Sequence, residues 1–440
     1  MTEDMVKKDG TNPWTLLFDT FPKMGKMFKE ILKEDREVCR GIIRTLDGSG
    51  SNITAMIVTA QFGFVCPDIL QHFQAPIIAV SPSGHYSRWT KFLGNPDNPS
   101  HMPGTFLPML EPLSLKERLI SSFIHFLLDY NLHIWFWEEW TRLGEYADIQ
   151  YSKWAELMRT RVDLLLQATH HVTHGPSVLA PNTVEIGGIH CREGRPLPPH
   201  LQTILDSHPA GVLLVSFGSS IKPSQMTKEK MKVFLETFSQ LNYTVIWKWD
   251  GEEMSDLPSN VILQTWVPQQ DLLAHPHLKV FVTHGGLLSL QETLYHSTPI
   301  VGIPLGNDQK PNMMRAERNG YAIMLDWQTL NTKDLVAAIK RAATDQDMRE
   351  SVERSHSLFV DQSETAQERA VWWIEYTVRH GGAQFLRPTS LALSWYQYHL
   401  IDVISVILTF SLLSCGLVLL CCLKLCKCIV TRPALKNKTD

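Results

Sequence analysis

The sequence predicts an α/β protein with two doubly wound parts and, near the C-terminus, one membrane-spanning helix. Short apolar runs alternate with segments of helical period, which is the pattern of buried parallel strands joined by helical crossovers. This pattern occurs in both halves of the 440-residue chain, which has room for two domains. The segment 403–423 carries no charged residue and is about long enough to span a bilayer.

Charge and composition argue against a nucleic-acid-binding protein. The formal net charge is −4 and 44% of the residues are hydrophobic, so no basic surface is expected. Cys39, Cys66 and Cys191 are scattered, and their spacing indicates neither a disulfide framework nor a zinc site. The histidine-rich segment 168–175 has no cysteine or carboxylate at ligand spacing, and we predict no metal there.

Two apolar runs in the N-terminal half, 55–59 and 76–80, predict buried strands joined by a short helix. The strongest strand signal is the run 212–217, which a glycine follows before the next helical segment. A proline-rich region before that run separates the two α/β parts and predicts a linker.

The stretch 261–325 contains three apolar runs, and the first of them ends in His284-Gly285-Gly286 before a helix. Paired glycines allow a tight turn and a close approach of the backbone to a ligand. The helix start offers free N–H groups and the positive end of the helix dipole, which suit a phosphate. His284 would lie beside that phosphate, and Glu292, two turns into the helix, could accept hydrogen bonds from ribose hydroxyls.

The string Trp266-Val267-Pro268-Gln269 lies upstream of this turn and could hold a nucleobase. Trp266 would supply a flat ring for stacking, worth roughly 1–3 kcal/mol, and Gln269 an amide for the edge of the base. A second strand–glycine–helix junction, at Gly218-Ser219, could meet the diphosphate from the other side. Each motif alone is a weak signal, but their order and spacing together are much stronger.

In this order and spacing the stretch resembles the nucleotide-sugar signature of the animal UDP-glucuronosyltransferase and UDP-glycosyltransferase family. The resemblance implies the GT-B fold, in which two Rossmann-like domains face each other across a cleft, with one C-terminal transmembrane helix. It implies transfer of a hexose or glucuronic acid from a UDP-sugar to a small lipophilic acceptor. The donor-binding residues it implies are Ser219, Trp266, Gln269, His284, Gly285, Gly286, Ser289, Glu292, Asp308 and Gln309.

Within that set the resemblance also implies individual roles. Uracil would rest on Trp266 and Gln269, and Asp308 and Gln309 would hold the donor sugar. The role of Ser289 stays open, because many relatives have a glycine there. No acidic pair of the Asp-x-Asp type follows a strand, so we expect no metal and no cofactor besides the UDP-sugar as co-substrate.

The run 57–84 resembles the latter half of the family's acceptor-binding N-terminal domain. From the resemblance we expect the family's opening strand with its catalytic His to be missing from this chain as written, and Ala60 to stand where the family has the Asp that pairs with that His. A His base needs a carboxylate to fix its tautomer and stabilise the imidazolium. We therefore identify no catalytic residue and keep two hypotheses. The first is an active transferase, and the second is a catalytically impaired UDP-sugar-binding or hetero-oligomerising member.

The pattern also predicts domain boundaries. A helix capped by Ser363 and ended by Gly381 would return to a domain face through the apolar stripe Ala370, Trp373, Ile374 and Thr377. The predicted parts are a partial N-terminal acceptor-binding domain (1–187), a linker (188–209), a C-terminal UDP-sugar-binding domain with the returning helix (210–382), a juxtamembrane segment (383–402), a transmembrane helix (403–423) and a cytosolic tail (424–440).

The C-terminus predicts the location in the cell. Lys424 and Lys427 follow the span, which favours a cytosolic tail. The terminal residues 436–440 resemble a dilysine retrieval signal, which implies a single-pass protein of the endoplasmic reticulum membrane. Assembly into a homo- or hetero-oligomer is left open.

The sequon at Asn52 reports on topology, because only a lumenal domain would be glycosylated there. A chain without a leader would keep its large domains in the cytosol. We therefore expect the full-length gene product to be lumenal and this chain, expressed as written, not to be.

Overall fold

A computed structural model describes residues 38–50, 52–60, 67–84, 87–103, 107–126, 151–208, 210–219, 221–252, 254 and 256–430. These residues fall into two compact units that divide between Arg387 and Pro388. The first unit contains two parallel sheets with helices on their faces, and the second contains a long apolar helix.

The first sheet has four parallel strands in the order β1-β2-β3-β4. The apolar runs at 55–59 and 76–80 form β1 and β2, as the sequence predicted. The strands are β1 (Met56–Thr59), β2 (Ile77–Ser81), β3 (Val162–Gln167) and β4 (Thr183–Glu185). The described helices around them are α1 (38–48), α2 (Pro67–His72), α3 (Ser87–Phe92), α4 (115–126), α5 (Tyr151–Arg161) and α6 (His171–His174).

The second sheet has six parallel strands in the order β10-β9-β8-β5-β6-β7, which is the doubly wound order of a dinucleotide-binding sheet. Its strands are β5 (Val212–Ser216), β6 (Thr244–Lys248), β7 (Val261–Gln264), β8 (Leu278–Thr283), β9 (Ile300–Gly302) and β10 (Ala322–Met324). Its helices are α7 (Pro199–Ser207), α8 (Lys228–Ser239), α9 (Gln269–Leu273), α10 (Leu287–Tyr295), α11 (Gln309–Arg318), α12 (Thr332–Thr344) and α13 (Gln346–Val360).

The strand order reverses between β5 and β8, which are hydrogen-bonded neighbours. Ser216 and Thr283 lie opposite each other at the carboxyl ends of these strands. Ligands of open α/β sheets bind in the crevice outside such a reversal point. Both glycine turns that the sequence singled out therefore open onto one crevice.

Helices cover both faces of the second sheet, which explains its continuous apolar runs. Leu213 and Val215 belong to the hydrophobic cluster on one face, whereas Val212 and Leu214 belong to the cluster on the other. Trp247 of β6 is fully buried among the rings of the first cluster. The sheet is thus a rigid layer from which loops project at the crevice.

The chain returns to the first sheet through α14 (Ala366–Arg379). Its predicted stripe docks there, because Ala370, Trp373 and Ile374 pack with apolar residues of β2, β3 and β4. The predicted cap Ser363 is wrong. The cap is Thr365, whose hydroxyl pairs with the N–H of Glu368 while the Glu368 carboxylate accepts from the Thr365 N–H. Such a reciprocal box needs Glu or Gln three residues after the cap, and Ser363 has an alanine there.

Asp163 anchors the segment that follows this helix. Its buried carboxylate accepts hydrogen bonds from the N–H groups of Ile77 and Ala383, each at 3.1 Å. The Arg387 guanidinium lies 3.7 Å from the same carboxylate. One side chain thus joins two strands of the first sheet to the end of the first unit.

Cys39 is buried and disulfide-bonded, although the spacing of the cysteines predicted no disulfide framework. Disulfides form between residues that the fold brings together, and scattered cysteines give no signal of this in the sequence. Cys191 is a free thiol.

The second unit contains the short helix α15 (Trp395–Tyr398) and the long helix α16 (Ile401–Val430). The segment Ile401–Leu425 has a mean hydropathy of 2.6 over its most apolar window and is long enough to cross a membrane. The helix extends beyond the predicted segment 403–423 at both ends.

We expect Asp163→Ala to lower the free energy of unfolding by about 3 kcal/mol. The substitution leaves two buried N–H groups and a guanidinium without their acceptor. Thermal unfolding of the detergent-solubilised chain, followed by circular dichroism, measures the effect. Glu375→Ala is the control, since it breaks only an exposed pair with Arg379 and should cost less than about 0.5 kcal/mol. Equal losses for the two variants would show that Asp163 is not an anchor.

Candidate functional site

The turn after β8 shows why the sequence needs two glycines there. Gly285 has a φ of 84°, in the left-handed region that favours glycine, and a Cβ on it would lie 2.5 Å from the Met313 side chain. A Cβ on Gly286 would lie 2.7 Å from Nε2 of His284. Gly286 is the N-cap of α10, so the free N–H groups of that helix begin directly beside the imidazole.

The ring of His284 lies between the two glycine turns. A Cβ at Gly218 would be 2.9 Å from its Cε1, and the Thr283 hydroxyl is 3.3 Å from its Nδ1. Burial lowers the pKa of His284 to about 4, and the positive charge of Lys248 contributes to the shift. The imidazole is therefore neutral at pH 7 and has one N–H to donate.

Lys248 belongs to this crevice, and the sequence reasoning missed it. Its Nζ donates a hydrogen bond to the Gly218 carbonyl at 3.1 Å and lies 4.9 Å from the centre of the Trp266 ring. The ammonium thus lies between the glycine turn and the aromatic ring. Within an apolar run the residue resembles an ordinary strand lysine. The available signal was its position at the carboxyl end of β6, the strand next to β5.

Hydrogen bonds join Gln269 to Ser289 and Glu292, and Trp266 lies three residues before Gln269 in the chain. Trp266 is 74% exposed, which leaves its ring accessible for stacking. The Gln269 amide donates to the Ser289 hydroxyl at 3.0 Å and also to the Glu292 carboxylate. The fold therefore brings together the residues predicted for base and ribose. Ser289, whose role was open, is an acceptor that helps to orient Gln269.

Burial raises the pKa of Glu292, while the hydrogen bond from Gln269 and the nearby His190 and Arg192 oppose that shift. Nε2 of His190 lies 3.8 Å from one carboxylate oxygen. A carboxylate held in this way is a directed hydrogen-bond acceptor, which is what a pair of sugar hydroxyls requires.

Asp308 ends the loop after β9 as the N-cap of α11, and Gln309 is the first residue of that helix. Asn312 donates both to the Asp308 carboxylate at 3.0 Å and to the Gly285 carbonyl at 3.2 Å, which joins this loop to the glycine turn. Burial raises the pKa of Asp308. The side-chain oxygen of Gln309 accepts hydrogen bonds from the N–H groups of Leu305 and Gly306, so this oxygen stabilises the loop before α11.

Three predicted positions remain, Ser219, Ala60 and Asn52. Ser219 is exposed at the carboxyl end of β5, in the same crevice as His284. Ala60 follows β1 and is buried, with its N–H bonded to the Val80 carbonyl at 2.8 Å. Asn52 is exposed in a loop.

His170 caps the short helix α6, and His171 and His174 are its first and last residues. Nδ1 of His170 accepts from the Val172 N–H at 3.2 Å, and burial lowers the pKa of His170 to about 4. Within the described part of the chain, no group of three His, Cys, Asp or Glu side chains is arranged to hold a metal ion.

Solved structures share this two-sheet fold. The glycotransferase of kitacinnamycin superposes with a TM-score of 0.54 at 20% identity, covering 79% of this chain and 82% of that one. A UDP-glucosyltransferase from Polygonum tinctorium superposes with a TM-score of 0.56 at 15% identity, covering 81% and 82%. Both are GT-B glycosyltransferases, so the predicted fold is confirmed.

Sequence comparison identifies relatives along most of the chain. UDP-glucosyltransferase 2 of Dactylopius coccus is 30% identical over 413 residues, which are 92% of this chain and 77% of that protein. UDP-glucuronosyltransferase 2B7 of Homo sapiens is 32% identical over 387 residues, 87% of this chain and 72% of that protein. The family model for "UDP-glucoronosyl and UDP-glucosyl transferase" matches residues 9–435, and the chain therefore belongs to this family of glycosyltransferases.

Proposed function

We propose that this chain is a membrane-anchored glycosyltransferase that moves a hexose or glucuronic acid from a UDP-sugar to a small lipophilic acceptor. Membership of the family supports the transfer of a sugar from a UDP-sugar. The observation that carries the donor assignment is the meeting of the Gln269 amide with Ser289 and Glu292 beside the exposed Trp266. This arrangement offers a stacking surface, an amide and a carboxylate to one nucleoside.

Each part of the nucleotide has a matching group. Uracil would stack on Trp266, and the ribose hydroxyls would donate to Glu292. The diphosphate would lie against the start of α10, where Lys248 supplies a permanent positive charge and His284 a directed N–H. These groups would stabilise the charge that develops on UDP as the sugar leaves. Asp308 would accept from hydroxyls of the donor sugar.

A second candidate function follows from Ala60. The family resemblance implies a carboxylate at this position, and the residue is a buried alanine at the carboxyl end of β1. A methyl group can neither orient a His base nor balance its charge. The alternative is therefore a member that binds UDP-sugar with impaired transfer. It keeps the donor site, so binding and turnover must be measured separately.

We also propose that, once the chain enters the secretory pathway, the first unit lies in the lumen of the endoplasmic reticulum and the tail after the span is cytosolic. The apolar helix Ile401–Leu425 supports a single span. The disulfide at Cys39 is typical of an oxidising compartment, which the cytosol is not. Small lipophilic acceptors partition into membranes, which favours an enzyme anchored there.

We expect Trp266→Ala to weaken UDP binding by roughly 1–3 kcal/mol, because the base loses its stacking surface. Titration calorimetry on the full chain in detergent measures the affinity. Trp372→Ala is the control, since it removes a half-exposed tryptophan on α14, away from the crevice, and should leave the affinity unchanged. A wild-type chain that binds no UDP at millimolar concentration would falsify the donor-site assignment.

We expect His284→Ala to reduce turnover about a hundredfold, which is the usual cost of removing one donor that faces developing charge. The measurement is acceptor-dependent UDP release from UDP-glucose or UDP-glucuronate, with a panel of small phenols. His208→Ala removes an exposed histidine that bonds only the Ile204 carbonyl, and it should keep wild-type turnover. UDP binding without acceptor-dependent release by the wild type would favour the impaired alternative.

We expect the chain, when expressed behind a cleavable secretion leader, to carry a glycan on Asn52 because this residue is exposed in a loop. A glycosidase-sensitive mass shift that Asn52→Gln abolishes is the readout. Asn242→Gln should leave the mass unchanged, because Thr244 of its sequon is buried in β6. A glycan on Asn242 alone would contradict the assignment.

A further inference from the structure

The segment Gly188–Arg195, here called the linker segment, leads from the first sheet towards the second. It lies against α9 and α10, the two helices that carry Gln269 and Glu292. The side chain of Gln270 makes two hydrogen bonds to it. Its amide donates to the His190 carbonyl at 3.1 Å, and its oxygen accepts from the Arg192 N–H at 3.0 Å.

Gln291 makes an equivalent pair of bonds from α10. Its amide donates to the Ala168 carbonyl at 2.9 Å, and its oxygen accepts from the Gly188 N–H at 3.1 Å. The side chain is 0% exposed. Because Ala168 directly follows β3, this one side chain joins the nucleotide-binding helix to the first sheet and to the start of the linker segment.

Charged contacts hold the same segment. The Arg192 guanidinium donates to both oxygens of Asp271, and the Arg195 N–H donates to that carboxylate at 2.7 Å. Asp271 is buried, so these bonds replace water that the carboxylate has lost. His190 contacts the Leu288 carbonyl at 3.0 Å, one turn before Glu292.

We propose that Gln270 and Gln291 are positioning residues, which lock the linker segment against α9 and α10 and thereby fix the orientation of the Gln269 amide and the Glu292 carboxylate. Each of the two glutamines is next in sequence to the donor residue that it positions. An amide offers a donor and an acceptor at once, which bonding to one carbonyl and one N–H requires. The inference rests on the proposed UDP-sugar site.

This arrangement has a reciprocal consequence. If the linker segment sets the orientation of Gln269 and Glu292, then a nucleotide that uses these two residues must in turn stabilise the linker segment. The amide hydrogens of Gly188 and Arg192 report this directly, because they are bonded to the two glutamine oxygens. The rate at which these amides exchange with solvent therefore measures how often the linker segment separates from the two glutamines.

The experiment compares the full chain with Gln270→Met and Gln291→Met, which keep side-chain size and remove both hydrogen-bonding groups. Hydrogen–deuterium exchange of peptides covering residues 188–195 is measured with and without saturating UDP, together with the UDP affinity and the thermal midpoint. Gln240→Met is the control, since this exposed glutamine bonds only within its own helix end. Gln270→Asn and Gln291→Asn, which keep a neutral amide but shorten its reach by one methylene, replace any Met variant that does not fold.

In the wild type and the control, UDP should slow exchange in the linker segment about tenfold. In each Met variant this protection should disappear, and UDP binding should weaken about tenfold, as expected for two lost hydrogen bonds. Variants with a lower thermal midpoint but wild-type affinity and protection would show a purely structural role and overturn the inference. A wild type that binds no UDP would overturn the proposed function itself, which is a distinguishable result.

Discussion

The proposed nucleotide site depends on the parallel pairing of β5 with β8. Ser216 and Thr283 are partners at the carboxyl ends of these strands, where the strand order reverses. The two turns that follow must then approach one imidazole ring from both sides. Only glycine leaves room for that ring, because a Cβ at Gly218 or at Gly286 would lie within 3.0 Å of His284. The strand pairing therefore dictates the two glycine turns, and the turns place the histidine.

The same packing gives His284 and Lys248 different electrostatic roles. Glycine turns that enclose His284 also remove water from it, and this keeps the imidazole neutral near pH 7. The neutral imidazole can then offer a directed N–H to a bound anion. The positive charge comes from Lys248, which bonds to the Gly218 carbonyl at the edge of the crevice. Protonation of a single histidine would make anion binding depend on pH in the physiological range. A lysine charge combined with a neutral imidazole avoids that dependence.

Local motifs could be predicted from the sequence, whereas contacts between distant segments could not. Trp266, Gln269, His284 and Glu292 could be predicted together because each lies in a strand-to-helix turn or in the helix that follows it, within one continuous stretch of the chain. Lys248 was missed because its role depends on which strands are neighbours, and the linker contacts of Gln270 and Gln291 were missed for the same reason. The cap at Thr365 was local and was still missed, because the Glu three residues later was not considered.

In the proposed function, donor recognition and acceptor activation belong to different sheets. All the groups proposed to hold UDP follow strands of the second sheet, whereas Ala60 follows β1 of the first sheet. Under the proposed function, the residue at position 60 would therefore affect the rate of transfer and not the nucleotide contacts. Among the described residues, Gln291 of α10, Arg315 of α11 and Asn319, which follows α11, donate hydrogen bonds to the part of the chain that carries the first sheet. Gln291 is the most buried of the three. The proposed nucleotide site is therefore physically compatible with either an active or an impaired acceptor site.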